Sequence, residues 1–137
     1  MTSFLGREML SIDPLLKQTE CGLYCPAGDF YVDPTRPVER AVVTHAHMDH
    51  ARWGCRRYLA AAPSEQLLRM RLSDDAEFQF LPYGESLLIG RVRVSFHPAG
   101  HILGSAQVRL EHRGRVALVT GDYKLGEDPT CESWQSV

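Results

Sequence analysis

The stretch Thr44-His45-Ala46-His47-Met48-Asp49-His50 contains the densest group of potential metal ligands in the sequence. The apolar, β-branched run Val42-Val43-Thr44 predicts a buried strand that leads into it. Side chains two residues apart in an extended segment point the same way, so we expect His45 and His47 to face one point, where two imidazole nitrogens suit Zn²⁺. The turn predicted to follow offers two donors to a second ion, Asp49 and His50. The alternative interpretation is a polar loop that happens to hold three histidines.

The composition is typical of a soluble globular protein, with 44% hydrophobic and 23% charged residues. The 137 residues are enough for one domain, and a formal net charge of −2 excludes an overall basic surface for nucleic acid while leaving room for a local patch. No apolar run approaches the roughly 18 residues of a membrane span, and the N-terminus lacks the pattern of a signal peptide. We therefore expect a cytoplasmic protein without membrane contact. Its four cysteines are expected to be free thiols, with a metal clip between Cys21 and Cys25 as the alternative.

The hydrophobic pattern predicts a mainly β chain with two helices. Residues 1–14 show no clear period and are interpreted as a loose lead-in. Proline suits the first turn of a helix, so Pro63 is expected to open a helix that runs to about Leu72, and a shorter helix is predicted over residues 51–55. The apolar run 117–119 predicts a central strand. The predicted strands cover residues 15–24 (a strand and its return), 30–32, 41–44, 57–60, 78–81, 86–89, 92–96, 106–111 and 116–120.

Two later segments place further donors where strands are predicted to end. In His97-Pro98-Ala99-Gly100-His101 and in Thr120-Gly121-Asp122, an apolar strand runs into glycine and then into a potential ligand. Glycine lets the backbone turn sharply beside a site, and functional groups of layered α/β domains gather at strand ends. His101 and Asp122 are therefore candidates to complete the coordination begun at His45. The alternatives are a capped loop histidine and a turn-forming aspartate.

Together these donors resemble the ligand motifs of the metallo-β-lactamase superfamily: His45-x-His47-x-Asp49-His50, then Gly100-His101, then Gly121-Asp122. The resemblance extends over essentially the whole chain. Further motifs are similar to those of the bacterial DNA-ligase-associated exonucleases, which are relatives of DNA-repair nucleases and of the β-CASP nucleases that process messenger RNA 3′ ends. These motifs are Gly22-Leu23-Tyr24-Cys25-Pro26-Ala27-Gly28-Asp29-Phe30, Asp33-Pro34, Pro98-Ala99-Gly100-His101-x-Leu103-Gly104-Ser105-Ala106 and Gly121-Asp122-Tyr123-Lys124.

The resemblance implies an α/β fold, the αββα sandwich of that superfamily, in which two similar halves pack sheet to sheet. We expect residues 1–137 to form only the N-terminal αβ half, with a mostly antiparallel or mixed sheet and helices on one face. The second half would be absent through truncation, would come from a partner chain, or would be replaced by self-association. A half fold would expose one apolar sheet face, and the candidates for that face are Val92, Val94, Phe96, Leu118 and Val119.

The resemblance also implies a metal role for each donor. One zinc ion would have three histidine ligands, His45, His47 and His101. The second ion would be held by Asp49 and His50 and would need a further histidine from the absent half. Asp122 would bridge both ions.

Four other residues are candidates for supporting roles. Asp33 would orient the histidine loop instead of binding metal, because a ligand histidine usually gives its other N–H to such a partner. The alternative for this residue is a turn-forming Asp-Pro. Lys124 and Arg52 are candidates for holding a phosphate, with an ordinary solvated surface as the alternative. His97 is a candidate for substrate contact, although a structural histidine satisfied by its neighbours is the favoured interpretation.

The chemistry that the resemblance implies is phosphodiester hydrolysis by two zinc ions about 3.5–4 Å apart, which activate water and neutralise the phosphoryl oxygens. Asp49, His50 and Asp122 are the catalytic candidates, and Mn²⁺ is the alternative metal for a carboxylate-containing pair. We expect an exonuclease that acts on DNA, in company with a DNA ligase or repair complex. The alternatives are an RNA-processing nuclease of the same superfamily, a small-molecule hydrolase of the same fold, and an inactive metal-binding half that needs a partner chain.

Overall fold

The computed structural model describes residues 14–137, which form two β-sheets and one short α-helix. Residues 1–13, and with them most of the predicted lead-in, lie outside the described residues. The elements in chain order are β1 (Lys17–Thr19), β2 (Gly22–Cys25), β3 (Phe30–Val32), β4 (Arg40–Val42), β5 (Arg57–Ala61), a 3-10 turn (Ala62–Ser64), α1 (Glu65–Arg71), β6 (Glu77–Leu81), β7 (Ser86–Ile89), β8 (Val92–Pro98), β9 (Ala106–His112) and β10 (Arg115–Val119).

Strands β1 to β6 form a six-stranded mixed sheet in sequence order, and the other four form an antiparallel sheet in the order β10-β9-β8-β7. In the first sheet β1, β2 and β3 pair antiparallel, whereas β3, β4, β5 and β6 run parallel. Strand β5, which lies between β4 and β6, is an almost continuous buried run, as expected of a parallel strand that is covered on both faces. The mixed and antiparallel sheets confirm the predicted α/β fold class.

The two sheets pack face to face, and the main core lies between them. Phe30 and Val42 of the first sheet belong to the same buried cluster as Phe96 and Leu110 of the second. A smaller cluster lies on the other face of the first sheet, where α1 contributes Leu68. Each of these five side chains is fully buried, and burial of such a side chain contributes roughly 1.5–3 kcal/mol. The described residues therefore form three layers: antiparallel sheet, mixed sheet and helix.

The predicted exposure of an apolar sheet face is wrong for three of the five candidate residues. Val92, Val94 and Phe96 are completely buried, because they point inward from β8 toward the first sheet. The chain thus supplies both sheets of this core itself. Leu118 is 39% exposed and Val119 half-buried, since β10 is an edge strand among the described residues and not the central strand predicted from its apolar sequence.

One of the two predicted helices is confirmed and the other is wrong. Pro63 lies in the 3-10 turn that opens into α1, and the helix ends just before Leu72. Residues 51–55 form turns, because Gly54 has a φ of +98°, which no α-helix accommodates. The N–H of Cys55 donates instead to the Tyr58 hydroxyl over 2.9 Å. All four cysteines are free.

Strand direction brings the predicted donor segments to one edge of the molecule. The segments that follow β3 and β4 leave the same edge of the first sheet, because the two strands are parallel. The segments that follow β8 and β10 reach this edge from the second sheet, and the N–H of Ala106 donates to the carbonyl of Thr44 across the junction (2.8 Å). Within residues 14–137, no helix has the length and apolar character needed to cross a bilayer.

Candidate metal centre

Four loops converge at this edge. The loop after β3 carries Asp33, and the loop after β4 carries the histidine motif. His101 follows β8, and Asp122 follows β10. Four residues each offer one donor atom, and these four atoms all lie within 4.8 Å of one another. The four residues are His45, His47, His101 and Asp122. Residues that are up to 77 positions apart in sequence thus form one potential ligand cluster.

His45 presents an unpaired nitrogen to the cluster. The residue is 1% exposed, and its Nε2 has no hydrogen-bond partner. Its Nδ1 lies 2.9 Å from the Thr44 hydroxyl, which donates its own hydrogen to Oδ2 of Asp33 (2.6 Å). The hydroxyl therefore accepts the Nδ1 hydrogen, and Nε2 keeps its lone pair. Burial and then the neighbouring histidines lower the pKa of His45 to about 4, so its imidazole is neutral, as metal coordination requires.

Asp33 connects two parts of the histidine loop. Its Oδ1 accepts the backbone N–H of Thr44 over 2.8 Å, and its Oδ2 lies 2.8 Å from Nδ1 of His50. Asp33 has a φ of 46°, in the left-handed region that aspartate tolerates better than most residues. Its hydrogen bond raises the pKa of His50. Because this bond uses Nδ1, the Nε2 of His50 faces the cluster, which is the geometry that an orienting role for Asp33 requires.

A single carboxylate oxygen lies between the two predicted metal sites. Oδ2 of Asp122 is 3.6 Å from Nε2 of His45, 3.8 Å from Nε2 of His101 and 3.4 Å from Nε2 of His50. Nε2 of His50 is also 3.6 Å from Oδ2 of Asp49. The structure therefore brings together all six predicted ligands. Three of these residues, Asp49, His50 and Asp122, form a second group of donors, which is open on one side because the Asp49 side chain is 77% exposed.

The donor spacing fits a metal ion at the first group. Ligands bound tetrahedrally at about 2.1 Å lie roughly 3.4 Å from one another. The distances from Asp122 to His45 and His101 are close to that value, and so is the 3.2 Å between Nε2 of His101 and Nδ1 of His47. A bound ion would also satisfy the buried Nε2 of His45, which otherwise lacks a partner. The residues present thus fit the metal that the motifs imply.

The His101 loop is shaped by its own side chains. The Ser105 hydroxyl accepts the backbone N–H of His101 over 3.0 Å. Gly104 has a φ of +79°, and a Cβ at this position would collide with the backbone of Ser64. The loop is therefore closed by Ser105 and pressed against the turn that precedes α1.

The three candidates for substrate contact lie outside the group of four donors. Nε2 of His97 lies 2.9 Å from the hydroxyl of Ser95 on the same strand. Lys124 is exposed and places its Nζ 3.5 Å from Asp128. Arg52 has a buried Nε without a hydrogen-bond partner. Their roles toward a substrate stay predictions.

Sequence reasoning assigned no role to two hydroxyl groups that organise the site. Thr44 directly precedes the first ligand histidine, which is a visible signal, but its partner Asp33 is 11 residues away and is identified only by the fold. A Cβ on Gly121 would lie 2.8 Å from the Thr44 side chain, so these two loops touch directly. Ser105 is the second such residue, and its position four residues after His101 was visible in the motif.

Comparison with curated proteins identifies three relatives with nucleic-acid-related names, whereas no family model matches the chain. A "Probable DNA ligase" from Opitutus terrae is 39% identical over 113 residues, which are 81% of this chain and 11% of that protein. An RNase J-like protein from Methanocaldococcus jannaschii is 26% identical over 81% of this chain and 31% of its own length. A ribonuclease from Thermus thermophilus is 30% identical over 68% of this chain and 27% of its own length. The chain therefore spans 11% to 31% of these relatives.

Solved structures match the fold at low sequence identity. A mutant of the CmlA β-hydroxylase superposes with a TM-score of 0.54 and 16% identity over 79% of this chain and 30% of that chain. A B3 metallo-β-lactamase superposes with a TM-score of 0.44 and 18% identity over 58% of this chain and 39% of that chain. At 16% identity, the superposition on the CmlA mutant shows a similarity of fold and nothing more.

Proposed function

Because this chain belongs to the metallo-β-lactamase superfamily and is related to its nucleases, we propose that it is the metal-binding part of a phosphodiester hydrolase that acts on DNA ends. One observation carries this proposal: Oδ2 of Asp122 lies within 3.8 Å of three imidazole nitrogens that come from two other loops. Such a shared carboxylate suits a pair of metal ions, and paired ions suit in-line displacement at phosphorus.

The ions proposed for this centre are Zn²⁺, with Mn²⁺ as the alternative. Imidazole-rich donors favour zinc, whereas a group with two carboxylates also accommodates manganese. His45, His47, His101 and Asp122 would hold the first ion, and Asp49, His50 and Asp122 the second. Bound ions would supply an activated water and neutralise charge on the phosphoryl oxygens. In the whole protein, a further ligand for the second ion would come from outside this chain or from a second copy.

The protein's own residues would prepare the centre before any substrate arrives. The Asp33–Thr44–His45 chain of hydrogen bonds keeps Nε2 of His45 free of hydrogen. The hydrogen bond between Asp33 and His50 orients the imidazole of His50 at the second group. Because the ligands are already aimed, little reorganisation is needed when the ions bind. The exposed carboxylate of Asp49 and the open side of the second group are where a phosphate would enter.

DNA is the proposed substrate, since the region similar to this chain lies within a protein named a probable DNA ligase at 39% identity. This similarity also supports the proposal that the protein works together with a DNA ligase or a repair complex. RNA is the second candidate, because two other relatives are named ribonuclease or RNase J-like. The similarity to these three proteins is also the reason for which we propose a cytoplasmic location.

Incubation of the metal-loaded protein with end-labelled single-stranded DNA and RNA of the same sequence tests the proposal. We expect release of nucleotides from DNA, loss of activity on chelation, and recovery with Zn²⁺ or Mn²⁺. Asp122→Asn should abolish cleavage, whereas His112→Gln, which changes a histidine that contacts the carbonyl of Arg91 at the β9–β10 hairpin, should not. Cleavage of RNA alone would replace the DNA assignment with an RNA-processing activity. Absence of cleavage together with one bound ion per chain would point to an inert metal-binding part.

A further inference from the structure

Exposed apolar side chains are frequent on the loops that carry the candidate metal ligands. Among residues 14–137, ten large hydrophobic side chains are markedly exposed, and five of them lie on the three loops that carry the metal ligands. These five residues are Met48, Trp53, Leu103, Tyr123 and Leu125. Exposed apolar side chains of this kind often mark interaction surfaces, and these five share their loops with a polar cluster. The rim of the centre is therefore suited to a ligand that has both charged and apolar faces.

Tyr123 is the exposed aromatic residue next to a predicted metal ligand. It directly follows Asp122, whose oxygen faces three histidines, and its side chain is 53% exposed. Its ring contacts the ring of Trp134, with centroids 5.0 Å apart and planes inclined by 47°. Contact with Trp134 supports the ring while more than half of the side chain stays open to a ligand.

The supporting tryptophan is itself anchored to a strand end. The N–H of Gln135 donates to the carbonyl of Pro98 at 3.2 Å. The amide of Gln107, a completely buried residue, donates to the carbonyls of both Gln135 (2.6 Å) and Pro98 (2.9 Å). The aromatic pair is thus held in place before a ligand binds, which lowers the entropy lost on binding.

Gly100 brings the two aromatic segments together beside the His101 loop. It has a φ of +75°, and a Cβ at this position would lie 2.5 Å from the carbonyl oxygen of Lys124 and 3.0 Å from the backbone nitrogen of Trp134. The N–H of Lys124 also donates to the carbonyl of Ala99 (3.0 Å). The absence of a side chain at residue 100 therefore lets both segments lie directly against the residue that precedes a metal ligand.

We propose that Tyr123, supported by Trp134, stacks against the base of the nucleotide whose phosphate reaches the metal centre. Nucleic acids combine a charged backbone with flat apolar bases, which match the polar cluster and its aromatic rim. A base inside a duplex has both faces covered, so it reaches Tyr123 only when it is unpaired. The protein would accordingly act on single strands and frayed ends, with little base preference, because every base offers a π-face. This inference rests on the proposed function.

Three variants test the stacking. Tyr123→Leu removes the ring and keeps an apolar side chain, and Tyr123→Phe keeps the ring. Tyr31→Leu is the matched control, since Tyr31 forms a similar tilted pair with Tyr24 on β2 and β3 (4.7 Å, 40°). The substrates are a single-stranded oligonucleotide and its blunt duplex. In a second assay, metal-free protein binds a single strand that carries a terminal 2-aminopurine, and the fluorescence of this base reports stacking without any hydrolysis.

We expect Tyr123→Leu to raise the KM for the single strand on the order of tenfold and to leave kcat nearly unchanged. Tyr123→Phe and Tyr31→Leu should keep the original KM, and the blunt duplex should be the poorer substrate. If the protein cleaves nucleic acid and Tyr123→Leu behaves like Tyr31→Leu, the stacking inference is wrong and the proposed function stands. If no nucleic acid is cleaved, the proposed function fails, and the 2-aminopurine signal decides the inference: quenching lost only in Tyr123→Leu supports it, and equal signals overturn it.

Discussion

Oδ2 of Asp33 lies 2.8 Å from Nδ1 of His50, 17 residues further along the chain. The same oxygen accepts the hydroxyl of Thr44, which in turn is hydrogen-bonded to His45. One carboxylate therefore orients ligands of both candidate metal sites, although it belongs to a different loop. The two candidate metal sites therefore share one orienting residue. Changes at Asp33, at Thr44 and at the donors are each expected to alter metal binding in a different way.

Replacement of Asp33 by asparagine should lower metal affinity by about 10- to 100-fold. Asparagine tolerates the left-handed backbone at this position, but its amide has only one acceptor oxygen. Asp33 uses two: Oδ1 accepts the N–H of Thr44, and Oδ2 accepts from the Thr44 hydroxyl and from His50. Competition with a chromogenic chelator measures the change. Asp29→Asn is the control, since Asp29 also has a positive φ (55°) but accepts from Tyr24 instead. Equal affinities for the two variants would refute the orienting role.

Replacement of Thr44 by valine should weaken metal binding at the first group by roughly tenfold. Valine has nearly the shape of threonine and keeps the contact with Gly121, but it leaves Nδ1 of His45 without an acceptor. The imidazole then loses the bond that keeps its hydrogen on Nδ1. Thr44→Ser retains the hydroxyl and should restore most of the affinity, as measured by calorimetric titration. Failure of serine to rescue would assign the effect to packing.

Removal of one donor should change the metal content by a countable amount. His101→Gln is expected to lose one ion per chain, because Nε2 of His101 lies among the first group of donors. His97→Gln should keep the original content, since His97 pairs with Ser95 on its own strand. Elemental analysis of the dialysed proteins gives the stoichiometry. Loss of metal from the His97 variant would show that the assignment of the two histidines is wrong.

Addition of metal should stabilise the folded protein. The donors come from separate loops, and the buried Nε2 of His45 gains a partner only when an ion is bound. At a free metal concentration of 100 times Kd, linkage predicts an increase of about 2.7 kcal/mol in the free energy of unfolding. Urea titrations with Zn²⁺ and with chelator measure it. An unchanged midpoint would mean that the cluster binds no metal under those conditions.

Alanine at Gly104 should destabilise the fold by more than alanine at Gly114. Both glycines have φ between 75° and 79°, so each variant is expected to suffer a backbone penalty of about 1–2 kcal/mol. A Cβ at Gly104 would also collide with the backbone of the buried Ser64, whereas nothing lies within 4 Å of a Cβ at Gly114. The difference between the two urea midpoints reports this collision. Similar midpoints would show that the His101 loop moves away without cost.

Much of the strand pattern could be predicted locally, and the failures share a physical cause. The period of two in Val92, Val94 and Phe96 identifies one apolar face, but it does not show what covers that face. The structure covers it with the first sheet. Ala117-Leu118-Val119 is apolar like a central strand, yet β10 lies at a sheet edge among the described residues. The sequence of a strand shows how apolar the strand is. Which strands lie beside it depends on contacts between residues that are distant in sequence.

The chain by itself determined which atoms are available at the site. The spacing of His45, His47, Asp49 and His50 and the glycines before His101 and Asp122 place donors at strand ends, because side-chain direction and sharp turns are local properties. Only the tertiary structure decided that one oxygen of Asp122 faces three imidazoles and that Thr44 holds the hydrogen on Nδ1 of His45. Those relationships depend on how two sheets pack, and sheet packing is set by the whole core and by no single motif.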